Sequence, residues 1–377
     1  MKKNSILFVC PDYHSSFILR DELRRNGWRA DIYVPFWYPK QSLFDRGDYD
    51  LSKYYRKGMK WFLYFSVFPL FFLFLFRYKH FYFYGLLESF NLPFEEKINR
   101  KNGVRILLEV LKIFNKTILY MPSGCHDEEL QSGFQKFDDG NICGNCGVEI
   151  CNDEILIPRF KVKKKYSTIV IGNSCFNSSQ LSAQTLHFKY KCLDLEKWNP
   201  NVVIPEKFII PKTAQFRIMH AFVSNSRSFN NKNIKGTPFI HQAIDRLKND
   251  GYDVELFYVN NVKSTEMRFY QLQADIVIDQ LIYGWWGSMT IECLALGKPV
   301  ILYLIKEWKK FFFNVFPEYK NQLPIVESNT HTIYAVLKDL LDNPEKIKET
   351  GEQSRIFAEQ HLDVKKNAQK YIEILNR

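Results

Sequence analysis

The stretch Ala274-Asp-Ile-Val-Ile-Asp-Gln-Leu-Ile-Tyr-Gly-Trp-Trp-Gly-Ser-Met-Thr-Ile-Glu-Cys-Leu-Ala-Leu-Gly-Lys-Pro-Val-Ile-Leu302 decides the fold. Ile276 to Ile278 is an uninterrupted β-branched run of the kind a buried strand requires. A glycine-bounded loop, Tyr283 to Gly287, follows it, and Ser288 is a candidate N-cap for a helix reaching Leu296. Gly297-Lys-Pro299 stops that helix and launches a second apolar strand, Val300 to Leu304. Strand, loop, helix and strand in this order form the repeating unit of a doubly wound parallel sheet.

The same alternation extends outward. Strand Phe216 to Phe222, helix Thr237 to Asn249, strand Val254 to Val259 and helix Ser264 to Gln273 precede the stretch, and helices Thr332 to Leu341, Pro344 to Glu359 and Val364 to Leu375 close the chain. At the other end, strand Ile6 to Val9, helix Phe17 to Asn26 and strand Ala30 to Val34 make a β-α-β opening, with further strands at Phe81 to Tyr84, Ile118 to Met121 and Thr168 to Ile171. Pro200, Pro205 and Pro211 punctuate a region of little periodicity that reads as an interdomain linker. A chain of 377 residues exceeds what one core usually serves. The expected organisation is an N-terminal Rossmann-like domain over 1–205 with a cysteine-rich insertion at 125–151, a second over 206–355, and a C-terminal helix over 356–377 packing back on the first.

Bulk composition narrows the class. With 46% hydrophobic and 25% charged residues and no low-complexity tract, pervasive disorder is excluded. The net charge of +11 is uneven: 28 Lys and Arg stand against 20 Asp and Glu up to Leu195, and 24 against 21 beyond it. Such a surface is a solvated basic face or a partner for an anionic membrane, a polyanionic substrate or nucleic acid. The first residues read as a strand and not as a signal peptide, so the expected place is the cytoplasm, with reduced cysteines. Trp61 to Phe76 is apolar except for Ser66, with Lys57 and Lys60 before it and Arg77 and Lys79 after. Three readings stand: a buried helix leading into Phe81 to Tyr84, an interfacial segment lying peripherally on the inner face of the cell membrane, and a span, for which it is short of the roughly 20 residues needed.

Two constellations carry chemistry. Cys125, Cys143, Cys146 and Cys151 follow the spacing C-x17-C-x2-C-x4-C, in which Cys143-Gly-Asn-Cys146 suits a knuckle and the remaining thiolates close a tetrahedral, structural Zn²⁺ site. His126 can stand in for Cys125 as a ligand; reduced loop cysteines and a redox pair are the other readings. The second constellation is the opening stretch, where the loop delivers free N–H groups of a helix start, with Gly287 and Ser288, to a site suited to a diphosphate. Glu292, one turn in, can accept hydrogen bonds from a ribose diol. In the N-terminal half, the loop after the first strand places His14 and Ser15 at a strand's carboxyl end, where open α/β sheets hold ligands; a surface histidine is the alternative.

Asp275 to Ile301, together with His220-Ala221 and Lys235-Gly236-Thr237, resembles glycosyltransferases of the GT-B fold, in particular the retaining family 4. The resemblance covers roughly Gln215 to Arg377. It implies an α/β fold of two facing Rossmann-like doubly wound parallel-sheet domains with a cleft between them. It also implies transfer of a sugar, of hexosyltransferase type and with retention, from a nucleotide diphosphate-sugar to a glycan or lipid-linked acceptor in cell-surface polysaccharide biosynthesis. Carried over by position, Lys235, with Gly236 beside it, and Arg227 neutralise the diphosphate, Glu292 holds the ribose, and the amides of Gly287 and Ser288 bind the distal phosphate. No catalytic metal is expected. The family's first acid of a Glu-x7-Glu pair falls on Gly284; Asp279 compensates, or Trp285 and Trp286 stack on the sugar, or both tryptophans are core. Gly124-Cys-His-Asp127 resembles the family's strand-end loop, which makes His126 and Asp127 candidate catalytic groups. A zinc-containing nucleic-acid-binding protein is the rival suggested by charge and cysteines, and the mild charge of the C-terminal half speaks against it. A catalytically inactive scaffold is the other rival, suggested by Gly284.

Overall fold

Runs of apolar residues too short for helices form two separate sheets, every strand of which pairs in parallel. The structure, a computed structural model, describes residues 4–12, 14–36, 47–54, 60–85, 87, 105–146, 151–171, 184–186, 191–220, 228–229, 232–259 and 262–377. The first sheet comprises β1 (Ser5–Val9), β2 (Arg29–Val34), β3 (Tyr49–Asp50), β4 (His80–Tyr84), β5 (Thr117–Met121), β6 (Ile169–Ile171) and β7 (Gln184–Leu186), in the order β3-β2-β1-β4-β5-β6-β7. The second begins with β8 (Phe216–His220). After a small antiparallel hairpin, β9 (Ser228–Phe229) and β10 (Lys232–Asn233), it continues with β11 (Val254–Phe257), β12 (Ile276–Gln280), β13 (Val300–Leu302) and β14 (Val326–Glu327), in the order β11-β8-β12-β13-β14. Both orders are doubly wound, and each reverses direction at one point: between β1 and β4, and between β8 and β12. Every residue of β1, β12 and β13 is buried, as strands covered on both faces must be.

The chain divides into two compact units. One comprises 1–133, 150–192 and 364–377; the other comprises 134–149 and 193–363. The proline-punctuated segment read as a linker packs within the second unit: Phe208 stacks on Phe269 at 4.8 Å, and Gln273 Nε2 donates to the Phe208 carbonyl at 2.8 Å. Part of the cysteine-rich insertion also belongs there, since Phe134 meets Trp285 at 5.4 Å and Tyr303 donates to Asp138 at 2.8 Å.

The longer helices of the first unit include α1 (Ser15–Arg25), α2 (Lys60–Arg77), α3 (Ile106–Ile113) and α4 (Asp153–Tyr166). No helix is among the elements read from the sequence where α4 stands. The helix forms because Asn152 Oδ1 accepts from Ile155 N at 3.0 Å, Asp153 and Glu154 occupy the first turn, and Lys163, Lys164 and Lys165 occupy the last, where they offset the helix dipole. Pro158 inside it hid the pattern. The second unit carries α5 (Thr237–Asn249), α6 (Ser288–Ala295), α7 (Ile333–Asp342) and α8 (Pro344–His361). The helix expected from Ser264 contracts to Met267–Gln271. The last helix, α9 (Val364–Asn376), belongs to the first unit, where Tyr371 lies 6.4 Å from Tyr82 and Gln369 donates to Asn26 at 2.7 Å.

α2 buries one face and exposes the other. Val67, Phe71, Phe74 and Leu75 join Leu7, Tyr33 and Phe81 in the first core, while Phe65, Phe68, Phe72, Leu73 and Phe76 face outward. Among the described residues, no helix is long and apolar enough to cross a membrane. The division makes a prediction. Phe71→Ala leaves a cavity and is expected to cost about 3–5 kcal/mol, whereas Phe72→Ser is expected to stay within about 0.5 kcal/mol. Urea unfolding of the two variants checks this, and equal losses would refute the orientation of α2.

Candidate functional site

The reversal between β8 and β12 brings the carboxyl ends of those strands beside the starts of α5 and α6, which is where doubly wound sheets hold ligands. Each element delivers one polar group. Asp279, fully buried near the end of β12, accepts from Lys235 Nζ at 2.5 Å through one carboxylate oxygen and from Thr290 Oγ1 at 2.7 Å through the other. Burial pushes the Asp279 carboxyl up, but the Lys235 ammonium and these two bonds outweigh it and hold the group below the usual carboxylate range. Lys235 reaches Asp279 because the loop before α5 turns sharply at Gly236, whose φ is +77°. The Lys235 carbonyl also accepts from Leu281 N at 3.0 Å. A side chain at position 236 would be strained there and would crowd Leu281.

His220, at the end of β8, is equally buried. Its Nδ1 lies 2.8 Å from the Ile278 carbonyl and must donate, so Nε2, 2.9 Å from Thr237 Oγ1, accepts. Burial brings its pKa down to about 4, which fits a neutral ring. Gly287 takes the N-cap position of α6 with extended backbone, and the N–H groups of the first turn have no intrahelical acceptor. Glu292 lies buried on the inward side of α6, accepts from Gln271 Nε2 at 2.6 Å, and is pushed up to about 8 by burial and by the nearby Asp279 charge.

The loop between β12 and α6 departs from the expected sugar contacts. Gly284 adopts φ +89°, and a Cβ there would come within 2.6 Å of Ile305 Cγ2. An acid at this position would need both a left-handed backbone and displacement of Ile305. Trp285 and Trp286 are both buried: Trp285 packs on Tyr283 and Phe134, and Trp286 sits among Trp308, Phe312 and Phe357 at 5.1–5.4 Å. Arg227 lies outside the described residues.

In the first unit, Asp127 is buried and tied to Lys163 Nζ at 2.5 Å, while Ser123 N and Oγ donate to its other oxygen at 2.9 and 2.8 Å. The side chain of His126 lies outside the described residues. His14 is buried at the N-cap position of α1, followed by Ser15, and Asp12 caps the same turn by accepting from Ser16 N and Oγ at 2.7 Å. Cys125 and Cys151 belong to the first unit and Cys143 and Cys146 to the second, where Cys146 N donates to the Cys143 carbonyl at 3.1 Å. Among the described residues, no group of three or more His, Cys, Asp or Glu side chains is disposed to hold a metal ion.

The structure brings Lys235, Gly236, Asp279, Gly287, Ser288 and Glu292 to one reversal and adds residues that the sequence did not mark as part of it, Thr290 and Gln271 as direct partners of Asp279 and Glu292. His220 and Thr237 ended up only as landmarks. Thr290, two residues into the helix from Ser288, had a readable position. Gln271 and, in the other unit, Lys163 had no local signal, since only packing brings them to their carboxylates.

No family model matches the sequence, and no curated protein matches it. Solved structures do match in fold. Sucrose-phosphate synthase from Thermosynechococcus elongatus aligns with TM-score 0.60 at 13% identity over 98% of both chains. The catalytic domain of starch synthase IV from Arabidopsis thaliana, bound to ADP and acarbose, aligns with TM-score 0.56 at 11% identity over 99% of this chain and 98% of that one. UDP-GlcNAc 2-epimerase from Neisseria meningitidis, bound to UDP-GlcNAc, aligns with TM-score 0.51 at 12% identity over 98% and 99%. The fold class is GT-B, with two Rossmann-like parallel sheets.

Glu292 generates a pH prediction. Its folded pKa lies above its unfolded value, so its contribution to stability is full below about 4.5 and is lost as pH rises through about 8. Glu292→Gln keeps an acceptor for Gln271 and removes this loss, so the variant is expected to gain on the parent between pH 6 and 9, by up to a few kcal/mol. Denaturant midpoints across that range test it; parallel pH profiles would refute a buried, raised Glu292.

Proposed function

We propose that this chain is a glycosyltransferase that takes its sugar from a nucleoside diphosphate-sugar held at the β8/β12 reversal. One observation carries the reading: Lys235, fixed by Asp279, stands with the N-termini of α5 and α6 at that reversal. A departing diphosphate gathers negative charge, and an ammonium beside two helix N-termini stabilises it without reorganisation. Glu292 is assigned to the ribose, and Gly287 and Ser288 to the distal phosphate. The acceptor is a glycan or lipid-linked sugar, the transfer a retaining hexosyl transfer, and the setting cell-surface polysaccharide assembly; the family resemblance of Asp275 to Ile301 supports these finer assignments. The ligands bound in two structures of the same fold, ADP and UDP-GlcNAc, make both bases worth testing.

Thermal shift with UDP, ADP and GDP is the test. At least one is expected to stabilise the chain, and Lys235→Met is expected to weaken its binding by roughly tenfold or more, the loss of one charge-assisted contact. No stabilisation by any nucleoside diphosphate would overturn the proposal. A second reading, a donor-binding chain that transfers nothing, draws on the backbone at Gly284, which has no room for the family's acid. Nucleotide binding without turnover of UDP- or ADP-sugars in the presence of acceptor extracts would favour it.

Structural zinc is retained in the proposal on the spacing of Cys125, Cys143, Cys146 and Cys151 and on the tight Cys143 to Cys146 turn. Metal analysis of the purified chain is expected to return about one equivalent of zinc, and less than about half would remove zinc from the account.

A further inference from the structure

Among its described side chains, α2 has no polar face. Its inward side is committed to the core, and its outward side presents Phe65 (65% exposed), Phe76 (64%), Phe72 (47%), Leu73 (45%) and Phe68 (37%). Positions 65, 68, 72 and 76 recur at three- and four-residue intervals and so form one stripe along the helix. The stripe continues onto the end of α3, where Phe114 meets Phe76 edge to face at 6.1 Å and Ile113 is 73% exposed. Single exposed apolar residues are ordinary, but a connected row of this size marks a surface that something covers.

The charge of the sequence that flanks it says what. From Leu51 to Leu87 the chain carries six basic residues, Lys53, Arg56, Lys57, Lys60, Arg77 and Lys79, and no Asp or Glu. Lys112 adds an exposed cation next to Ile113. A second copy of this chain would set that all-basic segment against itself. A span is unsuited, because 18 residues rise only about 27 Å and the inward face is held by the core. Aromatic side chains that enter the interfacial region, with cations at the level of acidic headgroups, satisfy both features. We propose that the outward face of α2, with the end of α3, docks the first unit on an anionic lipid bilayer. The bilayer is the partner whether or not the chain transfers sugar, so this proposal stands independently of the donor site.

Sedimentation of the full chain with phosphatidylcholine vesicles, with and without phosphatidylglycerol, tests it. Binding is expected to the phosphatidylglycerol vesicles, to weaken as salt is raised, and to fall by roughly tenfold or more in Phe65→Ser/Phe72→Ser/Phe76→Ser. Because the substituted positions face outward, the triple variant is expected to unfold at the parent's urea midpoint, and Arg77→Gln/Lys79→Gln is expected to lower the preference for phosphatidylglycerol without any change to the apolar stripe. Absence of binding to acidic vesicles at low salt would overturn the proposal, as would binding that the triple variant retains. A self-association seen by sedimentation velocity and abolished by the same three substitutions would replace the bilayer with a second copy.

Discussion

The second unit is organised around one buried ion pair. A carboxylate as enclosed as Asp279 is tolerable only if its charge is matched and its oxygens are bonded, and Lys235 and Thr290 do both. Those two partners come from different elements. Lys235 belongs to the loop that starts α5, and Thr290 to the first turn of α6, so satisfying Asp279 fixes both helix starts against the end of β12. The left-handed turn at Gly236 and the bond from Leu281 N to the Lys235 carbonyl are what let the ammonium arrive at the right place.

That arrangement sets the electrostatics of the site before any ligand enters it. The charges of Lys235 and Asp279 cancel to first order, His220 is a neutral ring, and Glu292, raised to about 8, holds its proton at neutral pH. On the proposed reading, attraction for a diphosphate rests on the N–H groups that open α6, on the dipole of α5, whose own first N–H groups are taken by Asn233 and Gly236, and on the share of Lys235 that Asp279 leaves exposed. A neutral Glu292 matters here, because an ionised one beside Asp279 would oppose an incoming anion at the same helix start.

The legible part of this design was the part written in local pattern. The β-branched run at Ile276 to Ile278, the glycine-bounded loop and the Gly297-Lys298-Pro299 stop are all short-range features, and they placed the fold and the start of α6. The helix α4 escaped because Pro158 interrupts its pattern, although Asn152, the acidic first turn and the lysines of the last turn are all helix-end signals. The site's partners escaped for a different reason. Lys235 to Asp279 spans 44 residues, Glu292 to Gln271 spans 21, and Lys163 to Asp127 spans 36, and no periodicity reports which distant polar group meets which buried carboxylate. Pro200 to Pro211 misled for a third reason: prolines mark irregular backbone, but Phe208 decides that this backbone packs within the second unit.

The end of the site that the proposal gives to the sugar is where local pattern and packing disagree, and packing narrows the chemistry. With glycine at position 284, where the resembled family has an acid, the loop left Asp279, Trp285 and Trp286 to contact a transferred sugar. Gly284 supplies no side chain and its backbone and neighbour Ile305 exclude one. Asp279 has an oxygen committed to Lys235 and the other to Thr290, so recruiting it would leave a buried cation or hydroxyl without its partner. Both tryptophans are packed among aromatic neighbours, where rotating either ring outward would open a void. Within this loop, what stays outside the packing is the half-buried Tyr283, the exposed Ser288 and the backbone of the extended Gly287 and of the first turn of α6. Backbone amides bind oxygen acceptors wherever a pyranose presents them and discriminate poorly among epimers. On the proposed reading, selection of the sugar then falls to Tyr283, Ser288 and side chains outside this loop.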